Sequence, residues 1–271
     1  MTDHEKRLRF RELLKNPEGC VAPGVADPLF ARLAADCGYA AVHLSGNAIH
    51  KSFCLVDENI LSISEMAERA AQIDAAVDLP LIVDGGPAVK SSKILARMVH
   101  QLERAGVAAI RLEDSSEAFG SGNVTSAADI MDRIKIALDA RNDSRLAIIA
   151  RCDSRPVEPL DRVLERLAVY AEAGADAVGV QLTDAEEFRK TGASVKAPLV
   201  SLWPKTLMTV SDFLKLGFRI ALMPSSIPLA GLSAAREMLV ELRETGTDRG
   251  YFKRQKEFAT IDAWYKNIGR R

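Results

Sequence analysis

Two patterns of apolar spacing alternate along the chain: short, nearly unbroken apolar runs, and longer stretches in which apolar side chains return every three or four positions. The first suits a strand buried on both faces and the second an amphipathic helix. One phrase recurs at their junctions. It reads Ala34-Ala35-Asp36-Cys37-Gly38-Tyr39-Ala40-Ala41-Val42, then Glu103-Arg104-Ala105-Gly106-Val107-Ala108-Ala109-Ile110, then Glu172-Ala173-Gly174-Ala175-Asp176-Ala177-Val178, then Lys215-Leu216-Gly217-Phe218-Arg219-Ile220-Ala221-Leu222. A glycine just past a helix end can take the left-handed conformation that stops the helix, so each copy predicts a helix followed by a strand. Further strands are expected at Pro80-Leu81-Ile82-Val83-Asp84, Leu146-Ala147-Ile148-Ile149-Ala150-Arg151 and Ala197-Pro198-Leu199-Val200-Ser201; Cys20-Val21-Ala22 completes eight. Helical periodicity fills 27–37, 63–77, 91–105, 126–140, 159–173, 184–190, 209–216 and 228–243.

Regular alternation of this kind implies a parallel sheet with helices outside it. Eight units without a linker favour an α/β (β/α)8 TIM barrel, with an open doubly wound sheet as the other arrangement. The expected domains are a barrel over 1–243 and a C-terminal helical arm over 244–271. Within the arm, Phe258, Ile261, Trp264 and Tyr265 follow helical spacing and predict an amphipathic helix suited to oligomerisation.

The 271 residues, 48% of them hydrophobic, give ample material for a core, and a net charge of −1 offers no field to attract nucleic acid or a membrane surface. The opening Met1-Thr2-Asp3-His4-Glu5-Lys6 has no signal-peptide core, and no apolar run reaches membrane length, so a soluble cytoplasmic protein is expected. Cys20, Cys37, Cys54 and Cys152 are widely spaced without metal-binding intervals and are expected to be reduced thiols.

In a parallel barrel, polar residues at the carboxyl ends of the strands build the active site. Here strand two ends in His43-Leu44-Ser45-Gly46, strand three in Asp84-Gly85-Gly86, strand four in Arg111-Leu112-Glu113-Asp114 and strand five in Arg151-Cys152-Asp153; the last three end in Gln181, Ser201 and Pro224-Ser225-Ser226. Carboxylates offer oxygen ligands to a hard cation, and an arginine fork pairs with a substrate carboxylate, so the set points to a metal site for a small organic acid. Simpler roles exist for each residue. Asp84 or Asp114 can cap a helix, Arg151 can serve a structural ion pair, Ser45-Gly46 can be a turn, and His43 can be a core group. Gly120-Ser121-Gly122 lacks the spacing of a dinucleotide site or a P-loop.

From about residue 19 to 226 the order of these motifs resembles the isocitrate lyase and phosphoenolpyruvate mutase superfamily. Pro23-Gly24-Val25-Ala26-Asp27 is similar to its opening loop, His43-Leu44-Ser45-Gly46 to its aromatic-x-Ser-Gly turn, and Leu55-Val56-Asp57-Glu58 to its Gly-Leu-Pro-Asp segment. Leu81-Ile82-Val83-Asp84, Ile110-Arg111-Leu112-Glu113-Asp114 and Ile149-Ala150-Arg151-Cys152-Asp153 resemble its three hallmark strand ends.

The resemblance implies that Asp84, Asp57 and Glu113 hold Mg2+ or Mn2+, Asp84 directly and the others through water, and that Arg151, Glu113 and Asp57 are catalytic. It also implies that Arg151 and the Ser45 and Gly46 amides bind a 2-oxo acid, with His43, Asn47 and Ser225 beside them. A homotetramer built as a dimer of dimers, exchanging its C-terminal helix, is implied as well. Two departures stand out. The family's Asp-x-Asp-x-Gly-Tyr-Gly stretch is Asp84-Gly85-Gly86-Pro87-Ala88-Val89-Lys90, so its second acid is Gly86 and weaker metal binding is expected. The cysteine-bearing gating loop of the isocitrate and methylisocitrate lyases is replaced by Ser115-Ser116-Glu117-Ala118-Phe119-Gly120-Ser121-Gly122-Asn123. Cys152 is no substitute, because strand alternation turns it away from Arg151 and Asp153. The expected activity is a metal-assisted C–C lyase or oxaloacetate decarboxylase-like enzyme acting on a small 2-oxo or 2-hydroxy diacid through an enolate. A phosphonopyruvate-type C–P enzyme and a non-catalytic organic-acid-binding barrel are the alternatives. No nucleic-acid or membrane partner is expected.

Overall fold

The computed structural model describes residues 1–56, 60–85, 91–115, 124–255 and 258–268. Packing divides the chain into two units, Met1–Ser226 and Ile227–Arg271. Eight parallel strands in the first close a barrel in chain order: β1 (Cys20–Val25), β2 (Val42–Leu44), β3 (Leu81–Asp84), β4 (Ala109–Glu113), β5 (Ala147–Cys152), β6 (Ala177–Val180), β7 (Leu199–Leu202) and β8 (Phe218–Met223). The seam is the β1–β8 pairing, in which Cys20 lies opposite Ile220.

The crossover helices fall where the periodicity puts them: α2 (Pro28–Asp36), α4 (Ile63–Ala76), α5 (Ser92–Arg104), α6 (Ala127–Ala140), α7 (Leu160–Glu172), α8 (Ala185–Ser194) and α9 (Val210–Lys215). The four repeated glycines adopt the left-handed conformation the pattern requires, with φ of +85° at Gly38, +82° at Gly106, +101° at Gly174 and +102° at Gly217. Short polar side chains start the helices, as where Asp27 accepts the Phe30 amide and Ser62 forms a reciprocal capping box with Glu65.

Strand alternation produces two apolar layers. Outward residues such as Val83, Ile110 and Ile148 pack beneath helical Ile73, Leu102, Ile134 and Leu167. Inward residues, including Ala22, Ile82, Ala109, Ile149, Val200 and Ile220, fill the barrel together with Phe10 and Leu14.

Phe10 and Leu14 belong to α1 (Asp3–Lys15), which the sequence pattern did not signal. Its basic residues obscure the apolar stripe. Lys6 and Arg7 are themselves buried, Lys6 against Asp74 at 2.8 Å and Arg7 donating to the carbonyls of Glu103 at 2.6 Å and Val107 at 3.1 Å. The small α3 (Gly46–Ser52) was also unforeseen.

The second unit comprises most of α10 (Ser226–Thr245) with α11 (Arg249–Arg254) and α12 (Phe258–Asn267). Within it Arg254 pairs with Glu241 at 2.7 Å and Glu237 at 3.1 Å, and the Tyr251 amide donates to Glu241. No helix among the described residues is long and apolar enough to cross a membrane.

Candidate active site

The parity that fills the barrel with Ile82, Ala109 and Ile149 also turns Asp84, Arg111, Glu113 and Arg151 inward, one or two steps nearer the carboxyl ends. Strand register brings them side by side: Asp84 is paired with Arg111 across β3 and β4, and Glu113 with Arg151 across β4 and β5. All four are buried, as is His43 from β2.

The contacts form one continuous network. Asp84 Oδ1 accepts from Arg111 Nε at 2.7 Å and is 2.9 Å from His43 Nε2, while Oδ2 accepts the Gly46 amide at 3.1 Å. Arg111 Nη2 reaches Glu113 Oε1 at 3.4 Å, and the same oxygen accepts from Arg151 Nη1 at 2.7 Å. Arg151 also lies 2.7 Å from Asp153 through Nε and donates to Gln181 at 2.9 Å through Nη2. Ser45 caps α3 by accepting the Ala48 amide, and its hydroxyl donates to the Pro224 carbonyl at 3.2 Å, tying β2 to the segment that carries half-buried Ser225. Close approach at this corner requires Gly24, where a Cβ would meet the Pro224 carbonyl oxygen at 2.2 Å.

Electrostatics divide the carboxyls. Burial alone would raise Asp84, but Arg111 and His43 outweigh it and hold the group well below the ordinary carboxylate range. Glu113 and Asp153 are shifted upward: burial dominates, and neighbouring carboxyls add to it against the pull of the arginines. Burial disfavours the charged form of Arg151, but Glu113, Asp153 and Asp84 reverse that and fix it as a cation. Three carboxyls therefore face two guanidiniums.

Asp114 and Cys152 point to the other side of the sheet. Asp114 accepts the Asp153 amide and the Tyr170 hydroxyl, both at 2.7 Å, and among the described residues it caps no helix. Cys152 packs in the outer core with Sγ 3.2 Å from Ser154 Oγ, and burial pushes its thiol up, as expected of a cysteine facing away from the site. All four cysteines are free, with Cys37 and Cys54 exposed.

Of the residues singled out in the sequence, His43, Ser45, Gly46, Asp84, Glu113 and Arg151 come together; Asn47 is exposed on α3, and Asp57 and Gly86 lie outside the described residues. Sequence reasoning gave no role to Arg111 or Asp153, although both stand in quoted strand ends at the same parity as assigned residues.

The sequence profile described as phosphoenolpyruvate phosphomutase matches residues 10–243. The chain belongs to this family. It is 37% identical over 252 residues to a 2-methylisocitrate lyase of Aeropyrum pernix, covering 89% of this chain and 81% of the relative. An oxaloacetate decarboxylase of Pseudomonas fluorescens is 32% identical over 255 residues, covering 91% and 88%. Among solved structures, a phosphonopyruvate hydrolase in complex with oxalate and Mg2+ superposes with a TM-score of 0.84 at 25% identity, covering 100% of this chain and 99% of that one. The barrel network thus sits in a family whose curated relatives include carbon–carbon lyases and decarboxylases, and this member is an enzyme of the lyase type.

Asp84 and Glu113 offer hard oxygen donors close enough to be spanned by one guanidinium, a donor set that fits a magnesium-like ion completed by water. Among the described residues no group of three or more His, Cys, Asp or Glu side chains is arranged to hold a metal.

Proposed function

We propose that this enzyme is a cytoplasmic C–C lyase or decarboxylase acting on a small 2-oxo or 2-hydroxy diacid. The observation that carries this reading is the convergence of Asp84, Glu113 and Arg151 inside the mouth of a barrel whose relatives include a 2-methylisocitrate lyase and an oxaloacetate decarboxylase. A divalent cation held by Asp84, with Asp57 and Glu113 through water, would supply a Lewis acid for the substrate's 2-oxo group.

The protein's own groups would bind and orient the substrate around it. Arg151 is the carboxylate anchor, because its guanidinium is fixed as a cation and one of its partners is the neutral amide oxygen of Gln181, the easiest to exchange for a substrate carboxylate. The Gly46 amide donates to Asp84 Oδ2 within the same network, and the other end of a 2-oxo acid would take that amide in exchange, with the Ser45 amide beside it. His43 and Arg111 keep Asp84 ionised. Burial, with neighbouring carboxyls adding to it, shifts Glu113 and Asp153 upward, so their negative charge is held at a cost that a cation in the site would relieve.

A panel of 2-oxo, 2-hydroxy and phosphono diacids assayed with Mg2+ or Mn2+ tests this reading. Release of pyruvate or another 2-oxo acid fragment is expected, with loss of turnover in excess chelator and in Asp84→Ala. Phosphate release from phosphonopyruvate alone would assign C–P chemistry instead. Tight binding without turnover of any compound would make the barrel a binding protein.

A further inference from the structure

Arg111 holds two of the three carboxylates on which the metal would depend, Asp84 and Glu113. Its Nε is 2.7 Å from Asp84 Oδ1 and its Nη2 is 3.4 Å from Glu113 Oε1, with the side chain 3% exposed. Asp84 Oδ1 already serves two partners, Arg111 and His43, and Oδ2 takes the Gly46 amide. A carboxylate oxygen accepts about two hydrogen bonds, so Arg111 and His43 fill Oδ1 and one position, on Oδ2, is left for a further ligand. A guanidinium stays protonated at any working pH, and a divalent ion placed on the same oxygens would sit within a few ångströms of that positive charge in a buried site.

The surroundings favour movement of Arg111 rather than exclusion of the ion. Glu113 has a second cation in Arg151, at 2.7 Å, and would not be left unpaired if Arg111 turned away. The 3.4 Å contact to Glu113 is at the limit of a hydrogen bond, so the Asp84 contact is the principal one to be broken. Three carboxyls against two guanidiniums also leave the cluster short of positive charge for an anionic substrate, a deficit that an ion of charge +2 would remedy.

We propose that Arg111 is a tethered cation that holds the Asp84–Glu113 pair in place of a divalent ion and must release Asp84 for that ion to bind, making Arg111 a positioning residue that sets metal affinity. The proposal rests on the metal-assisted reading of the same site. It gives the weak metal binding anticipated from Gly86 a second source, located in β4.

Calorimetric titration with Mn2+ and no substrate, on the full chain, compares the parent with Arg111→Met, which removes the charge and keeps much of the bulk. The variant is expected to bind Mn2+ roughly tenfold or more tightly, a change of the size outer-shell partners typically exert on affinity but of opposite sign, because the partner removed is a competing cation. Equal or weaker affinity in a folded Arg111→Met overturns the proposal. A measurement on the parent protects against a variant that fails to fold: the Arg111 Nε–H resonance, assigned by its absence in Arg111→Lys, should change in shift and lose protection from exchange at saturating Mg2+. Persistence of both during demonstrated Mg2+ binding overturns the proposal while leaving the metal reading intact. Failure of parent and folded Arg111→Met alike to bind Mn2+ overturns both.

Discussion

Arg151 has its three guanidinium nitrogens engaged by Glu113, Asp153 and Gln181, so its ion pairs are structural as well as preparatory for substrate. Arg151→Lys separates the two roles. Lysine keeps the charge opposite Glu113 and Asp153 but cannot form the planar fork. The expected outcome is a roughly 10–100-fold rise in the substrate's KM, as follows from losing one charge-assisted hydrogen bond of about 1.5–3 kcal/mol, with a melting temperature near that of the parent. A large fall in melting temperature with unchanged KM would leave Arg151 only its structural role. Residue identity made this site partly legible: several carboxylates and an arginine recur together at the ends of successive apolar strands, where each alone would also suit a cap or an ion pair. Arg111 was overlooked because its partner is chosen by the registry of β4 beside β3, which no local pattern encodes.

At the scale of the element, α1 shows how a charged helix can be part of the core. Phe10 and Leu14 enter the barrel interior, and Arg7 links the helix to Asp143 at 3.1 Å and to carbonyls at the end of α5. Burial works against ionised Asp143, but the Arg145 amide and guanidinium and the Arg7 guanidinium outweigh it and bring the carboxyl down to about 2. A depressed folded value means that the group stabilises the fold above its ordinary titration range and that this contribution disappears as pH falls through about 2. Asp143→Asn is therefore expected to lower the melting temperature by about 2–4 °C at neutral pH, the usual result of losing about 1 kcal/mol in a chain of this size. The difference from the parent should shrink as the pH is taken down toward 2. Thermal melts across that range check it, and a constant difference at every pH would show that the charge on Asp143 contributes nothing.

For the whole molecule, we infer a homo-oligomer assembled through the C-terminal segment. Ile261 and Tyr265 are 46% and 61% exposed on α12, and Leu229, Leu232, Leu239 and Leu242 are exposed along α10. Apolar side chains at such spacing on adjacent turns are commonly covered by a partner. Deleting residues 250–271 should reduce the mass measured by light scattering. A full-length protein that is already monomeric at micromolar concentration would refute the inference.

The sequence by itself determined the alternation of strands and helices, the left-handed glycines that punctuate it, the inward parity of Asp84, Glu113 and Arg151, and the exclusion of Cys152 from their side. These are local properties, set by apolar period, φ preference and the two-residue repeat of a strand. Tertiary structure alone decided that α1 contributes to the barrel core, that Asp84 is shared by His43, Gly46 and Arg111, and that Glu113 lies between two guanidiniums. Each of those contacts joins residues on different elements, except the one between Arg111 and Glu113, which are two apart on β4. Even there the sequence leaves the direction of the guanidinium open. The registry of β4 beside β3 brings Asp84 within its reach and turns two separate strand ends into one charged network.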